Sequence, residues 1–173
     1  MTDKIMTQAV EAAVPSLQCL KKPCRRILVV EDDRNIRQIN AMVLNHSGYE
    51  VDTAEDGNAG WKALHAVRHA PDCYDLLITD HNMPGLTGVA LVKKLRDVRM
   101  MLPVIMATGT LPSEDFFTRY PWFQPAAVLM KPYTIKELLG MVEAVLHKIN
   151  GAHVQIAPPA NRQCRPSAVG LQP

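Results

Sequence analysis

Short apolar runs alternate along the chain with stretches in which apolar residues recur every three or four positions. The β-rich runs are 26–30, 50–54, 76–79, 103–107 and 127–130. Several are apolar throughout, as strands covered on both faces must be, because successive side chains point to opposite sides of a sheet. Between them, Ile36, Ile39, Met42 and Val43 make one stripe at helical spacing, and Ile135, Leu138, Leu139, Val142, Leu146 and Ile149 make another. Thr134 with Glu137 has the form of a capping box that opens the last helix, and Ser47-Gly48 ends the first. Strand and helix signals alternate five times. That alternation implies right-handed crossovers and an α/β fold, a doubly wound parallel sheet with helices on both faces.

The 173 residues leave room for one domain with a proper core, plus tails. Residues 1–24 hold a weak helical patch ended by Pro15, then Lys21-Lys22-Pro23, and are expected to form a flexible tail. The domain is expected over 25–149. Residues 150–173 carry Pro158, Pro159, Pro166 and Pro173 among small and polar residues, a mixture that buries too little apolar surface to offset ordering entropy, and are expected to be a disordered tail.

A formal net charge of +2 argues against nucleic acid or an anionic membrane as the main partner. Of the four cysteines, Cys19 and Cys24 stand in a C-x4-C arrangement with no second ligand pair at zinc spacing, which reads as reduced thiols in a cytoplasmic protein. No apolar stretch approaches the roughly 20 residues of a spanning helix, and the N-terminus lacks the ordered features of an export signal.

Polar clusters follow four of the apolar runs: Glu31-Asp32-Asp33, Asp80, Thr108 and Lys131-Pro132. In a parallel α/β sheet, ligand groups gather outside the carboxyl ends of the strands, so these distant residues converge. A strand-end Thr alone is ordinarily a loop hydroxyl, and a lone Lys a solvated charge. Their joint placement with carboxylates points elsewhere. Asp80 opens the loop Asp80-His81-Asn82-Met83-Pro84-Gly85, and beside Glu31 and Asp32 it makes a like-charge cluster that a hard divalent cation, Mg²⁺ or Mn²⁺, would relieve. A carboxylate can attack phosphorus once metal and cations neutralise the incoming oxygens, which makes Asp80 the candidate nucleophile. Lys131 would supply compact positive charge and Thr108 a hydroxyl donor.

The segments I-L-V-V-E-D-D (27–33), D-x-N-M-P-G-x-x-G (80–88), P-V-I-M-A-T-G (103–109) and K-P-Y-T (131–134) resemble the receiver domain of bacterial two-component response regulators, over about 26–149. The resemblance implies a flavodoxin-like five-stranded sheet of order 2-1-3-4-5. It also implies that Asp80 takes the phosphoryl group, that Glu31 and Asp32 form the acidic pocket, and that the backbone carbonyl of Asn82 joins the metal shell. Thr108 and Lys131 would hold the phosphoryl oxygens. The donor would be a phosphohistidine on a sensor histidine kinase or a histidine phosphotransfer protein, with small acyl phosphates as substitutes, and the output an unidentified protein target. Such a chain catalyses only its own phosphorylation and dephosphorylation. A cis bond between Lys131 and Pro132 is implied by the same resemblance.

Receivers commonly place an aromatic residue three positions before the lysine, where this chain has Val128. Between Thr108 and Ala127, a short helix is expected to start near Pro112 and stop before Pro121, in a stretch crowded by Phe116, Phe117, Tyr120, Trp122 and Phe123. These rings either fill space over that helix or form a partner-binding patch. His65 and His69 stand one helical turn apart without a third ligand, the pattern of a solvated face. The residues given after Ile149 are too few for a DNA-binding or enzymatic output domain, so protein contact or phosphate transfer is the expected output. A phosphorylation-independent interaction module with the same fold is the alternative, motivated by Val128 and by the unusual short helix expected near Pro112. A phosphatase of the haloacid dehalogenase type would need a second aspartate two residues after Asp80, where Asn82 stands.

Overall fold

The computed structural model describes residues 25–67, 73–110 and 120–152. The expected tail at 1–24, residues 153–173 of the tail expected over 150–173, the helix expected near Pro112 with Phe116 and Phe117, and His69 lie outside them. The elements are β1 (Arg26–Val30), α1 (Arg34–His46), β2 (Glu50–Ala54), α2 (Gly57–Ala66), β3 (Leu76–Asp80), α3 (Gly88–Asp97), β4 (Val104–Thr108), β5 (Ala127–Met130) and α4 (Ile135–Ala152). All strand pairs are parallel, in the order β2-β1-β3-β4-β5. The expected sheet is the observed one.

The continuous apolar runs are explained by two cores. Leu28, Val30, Leu77, Val104 and Met106 face Leu64 of α2 and Leu91, Val92 and Leu95 of α3. Their neighbours Ile27, Val29, Leu76, Ile78 and Ile105 face Leu44 of α1 and Leu138, Val142, Val145 and Leu146 of α4. Strands β3 and β4 are buried at every position, and each extends one residue further than expected, so that Asp80 and Thr108 still belong to the ladder. Helix α4 opens on the expected capping box: the Thr134 N–H donates to Glu137 Oε2 at 2.7 Å, and the Glu137 N–H donates back to Thr134 Oγ1 at 3.3 Å. It runs to Ala152, past the domain limit expected at 149. Helix α1 ends at Ser47, and Gly48 follows at φ +88°, a conformation open to glycine at no steric cost.

The phase of α1 departs from expectation. Its inward residues are Asn40 and Leu44, whereas Ile39 is 48% exposed and Met42 65%. A stripe through 36, 40 and 44 competes with one through 39 and 42, and periodicity alone favoured the more apolar of the two. In α4, Ile135 is likewise exposed, and Val145 joins the core. Of the crowded aromatics, Phe123 is buried, while Tyr120 and Trp122 stay half-buried, with edge-on ring contacts at 5.7 Å (Tyr120–Trp122) and 5.9 Å (Trp122–Phe123).

At the sheet end opposite the polar clusters, the Tyr74 hydroxyl donates to Asp52 Oδ2 at 2.8 Å, and Arg26 lies 4.9 Å over the Tyr74 ring. Burial, with the Asp52 hydrogen bond second, pushes the Tyr74 phenol from 10.0 up to about 12. The unfolded chain therefore loses this proton first. Stability is expected to fall as pH rises from about 10 to about 12, and Tyr74→Phe to flatten that limb in denaturant melts.

Candidate functional site

Four strands deliver the candidate residues to one edge. Glu31 continues β1, with its N–H bonded to Ala54 O at 3.1 Å, and is 2% exposed. Asp33 turns the chain into α1 as its N-cap, accepting the N–H groups of Asn35 and Ile36 at 2.8 and 3.0 Å. Those backbone bonds hold its carboxyl below the usual carboxylate range. Of the three acids in the run, the third therefore has a structural role, and Glu31 and Asp32 are left for the pocket. Arg37, one turn into α1, donates to the carbonyls of both Glu31 and Asp32. Nothing in the motif reading marked it, although two arginines in a first turn without acids run against the helix dipole and call for another partner.

Asp80 closes β3, buried, with Oδ1 accepting the N–H of Asn82 at 3.2 Å. The chain returns to Asp80 at Gly88, where an added Cβ would stand 2.1 Å from the Asp80 carbonyl oxygen. Lys131 follows β5, its N–H bonded to Thr108 O at 2.8 Å, and the Lys131–Pro132 bond is cis. Its ammonium donates to Glu31 Oε1 and Oε2 at 2.9 and 2.8 Å and to Asp80 Oδ2 at 2.7 Å. One cation thus ties residues 100 and 51 positions away.

Burial pushes the Glu31 carboxyl above its ordinary value, against the pull of Lys131 and with a further push from the Asp80 charge. Burial pulls the Lys131 ammonium down, but its hydrogen bonds and charge contacts with Asp80 and Glu31 outweigh this and hold it above its ordinary value. The lysine is therefore charged at neutral pH. Carboxylate oxygens of Glu31, Asp32 and Asp80 lie within 4.8 Å of one another, the one such group of three metal-ligating side chains among the described residues. Three oxygen donors of hard character against a single ammonium fit a divalent cation.

Thr108 arrives at the same edge, buried, but its hydroxyl is turned to the next loop: it donates to Thr110 O at 2.9 Å and accepts the Thr110 N–H at 3.2 Å. It stands outside the lysine–carboxylate network. Asn82 is exposed beside Asp80. His81 lines a separate groove with Lys93, Tyr120 and Trp122, away from the acids. His65 lies against Trp61, with ring centroids 5.5 Å apart. Val128 sits half-buried in β5 opposite Met106. A further polar link, from Asn40 of α1 to the Tyr133 hydroxyl at 2.8 Å, was not legible in the stripe pattern.

A family model of the response regulator receiver domain matches residues 27–143. The chain belongs to the response regulator receiver family. This receiver is 30% identical over 126 residues to the transcriptional regulatory protein RprY of Bacteroides fragilis, covering 73% of this chain and 51% of that protein. It is 31% identical over 125 residues to the response regulator ArlR of Staphylococcus aureus, covering 71% and 53%. The chain spans about half the length of the curated relatives it matches. Among solved structures it is similar to the chemotaxis protein CheY4 of Vibrio cholerae, 31% identical with a TM-score of 0.60, over 70% of this chain and 98% of that one. Receivers are signalling switches rather than turnover enzymes. No helix among the described residues is long and apolar enough to cross a membrane.

Proposed function

We propose that Asp80 accepts a phosphoryl group from a phosphohistidine on a sensor histidine kinase or histidine phosphotransfer protein, and that the chain serves in the cytoplasm as a signalling switch or phosphate carrier. The observation that carries this reading is the Lys131 ammonium held between Glu31 and Asp80. An Asp80 oxygen forms the new O–P bond while the donor's N–P bond breaks, and the departing imidazole keeps the electron pair. Lys131, already charged and aimed at Asp80 Oδ2, faces the incoming phosphoryl oxygens. The Asn82 N–H on Oδ1 orients the carboxylate. Thr108 joins as a second donor by turning its hydroxyl away from Thr110. Glu31, Asp32 and Asp80, with the Asn82 carbonyl, would hold Mg²⁺ or Mn²⁺, which supplies positive charge to the transferred oxygens. On this reading the chain catalyses only its own phosphorylation and dephosphorylation.

Asp32 is exposed, so Asp32→Ala is expected to leave thermal unfolding nearly unchanged while removing Mg²⁺-dependent labelling by a small acyl phosphate. Equal labelling of the unmodified chain in excess chelator would show the metal role to be wrong. A phosphorylation-independent interaction module is the second reading, favoured by Val128 in place of a mobile ring and by the Thr108 hydroxyl engaged at Thr110. Intact mass after incubation with Mg²⁺ and the phosphodonor separates the two: one added phosphoryl group supports the first, and none supports the second.

A further inference from the structure

We infer that Asn40 and Tyr133 form a positioning pair that sets the reach of Lys131, an inference that rests on Asp80 as phosphoacceptor. Asn40 is 3% exposed at a core position of α1, one turn before the apolar Leu44, while its neighbour Ile39 is 48% exposed. Packing alone would place these two residues the other way round. A buried amide is costly unless its hydrogen bonds are met, and a met one holds its partner in a fixed direction, which apolar contact does not. The partner is the Tyr133 hydroxyl, which accepts from Asn40 Nδ2 at 2.8 Å across 93 residues of sequence.

Tyr133 is two residues beyond Lys131, and Pro132 between them restricts the backbone. Anchoring the Tyr133 hydroxyl to α1 therefore fixes where the chain leaves β5, and with it the base of the lysine side chain. Asn40, Lys131 and Tyr133 line one groove of about 450 Å³, so the anchor and the lysine are contiguous. The same helix, through Arg37, holds the Glu31 and Asp32 carbonyls. Helix α1 thus grips both loops whose charges must meet: the acid pair on one side and the lysine on the other.

The test compares labelling of Asp80 by a small acyl phosphate, at limiting donor and saturating Mg²⁺, in the unmodified chain, Tyr133→Phe, and the double variant Asn40→Leu/Tyr133→Phe. Tyr133→Phe strands the Asn40 amide, so both stability and rate should fall, the rate by about threefold to tenfold, the worth of one neutral hydrogen bond. The double variant replaces the polar pair by an apolar one. Its melting temperature is expected to recover toward that of the unmodified chain while its rate stays about threefold to tenfold low. Recovery of rate together with stability would reduce the pair to a packing element and overturn the inference, as would a Tyr133→Phe chain that labels at the full rate. Failure of the unmodified chain to label would instead overturn the phosphoacceptor reading, and this inference with it.

Discussion

Asp80→Asn is expected to abolish phosphoryl incorporation, read as loss of the added mass after incubation with Mg²⁺ and a small acyl phosphate, while leaving the fold intact. The loss follows from chemistry, since an amide has no anionic oxygen with which to form the O–P bond. The retained fold follows from geometry. Lys131 keeps both of its bonds to Glu31 at 2.8 and 2.9 Å, and the one side-chain oxygen of the asparagine can still accept either the Asn82 N–H or the Lys131 ammonium. Removing one negative charge also relieves Glu31, whose carboxyl burial and the Asp80 charge both push up. The melting temperature should therefore hold or rise slightly. Unchanged labelling in this variant would move the phosphoacceptor to another residue, and a fall in melting temperature would mean that Asp80 contributes more to stability than to charge repulsion.

Gly88→Ala should have the largest effect on stability of any conservative change at the site. The added Cβ would stand 2.1 Å from the Asp80 carbonyl oxygen and 3.0 Å from the carbonyl carbon, and backbone at the end of a buried strand cannot swing aside as a flexible side chain does. Either α3 or the end of β3 must move. Overpacking of this kind costs roughly 1–3 kcal/mol and sometimes more, and a rigid backbone neighbour puts this case at the upper end. The Gly88 N–H also bonds His81 O at 3.1 Å, so displacement of α3 strains the loop that follows Asp80. Chemical denaturation should show the loss as a lower midpoint with an unchanged slope. Labelling of the folded fraction should also fall, because the shift is transmitted directly to Asp80. A Gly88→Ala chain as stable as the original would mean that α3 can withdraw from β3 without loss of packing.

What the linear chain determined was the set of local decisions. Apolar runs ending in acid, hydroxyl or ammonium placed four of the five strands within a residue of their observed limits, because a strand covered on both faces needs an apolar run and its carboxyl end needs polar residues. Thr134 and Glu137 announced the start of α4, since a capping box is made within four residues. Tertiary structure decided what lies across the sheet. Two stripes competed on α1, and the inward one holds Leu44, packed in the core, and Asn40, whose amide is met by Tyr133 93 residues away, leaving Ile39 and Met42 outside. Thr108 reached the site edge as expected, yet its hydroxyl direction was set by Thr110 in the folded loop. Lys131 read as one strand-end cation; that it joins Glu31 to Asp80 depends on β1 and β3 being adjacent, with β4 between β3 and β5. Periodicity and capping act over a few residues, whereas pairings across 51 to 100 residues exist only once the crossovers have set the strand order.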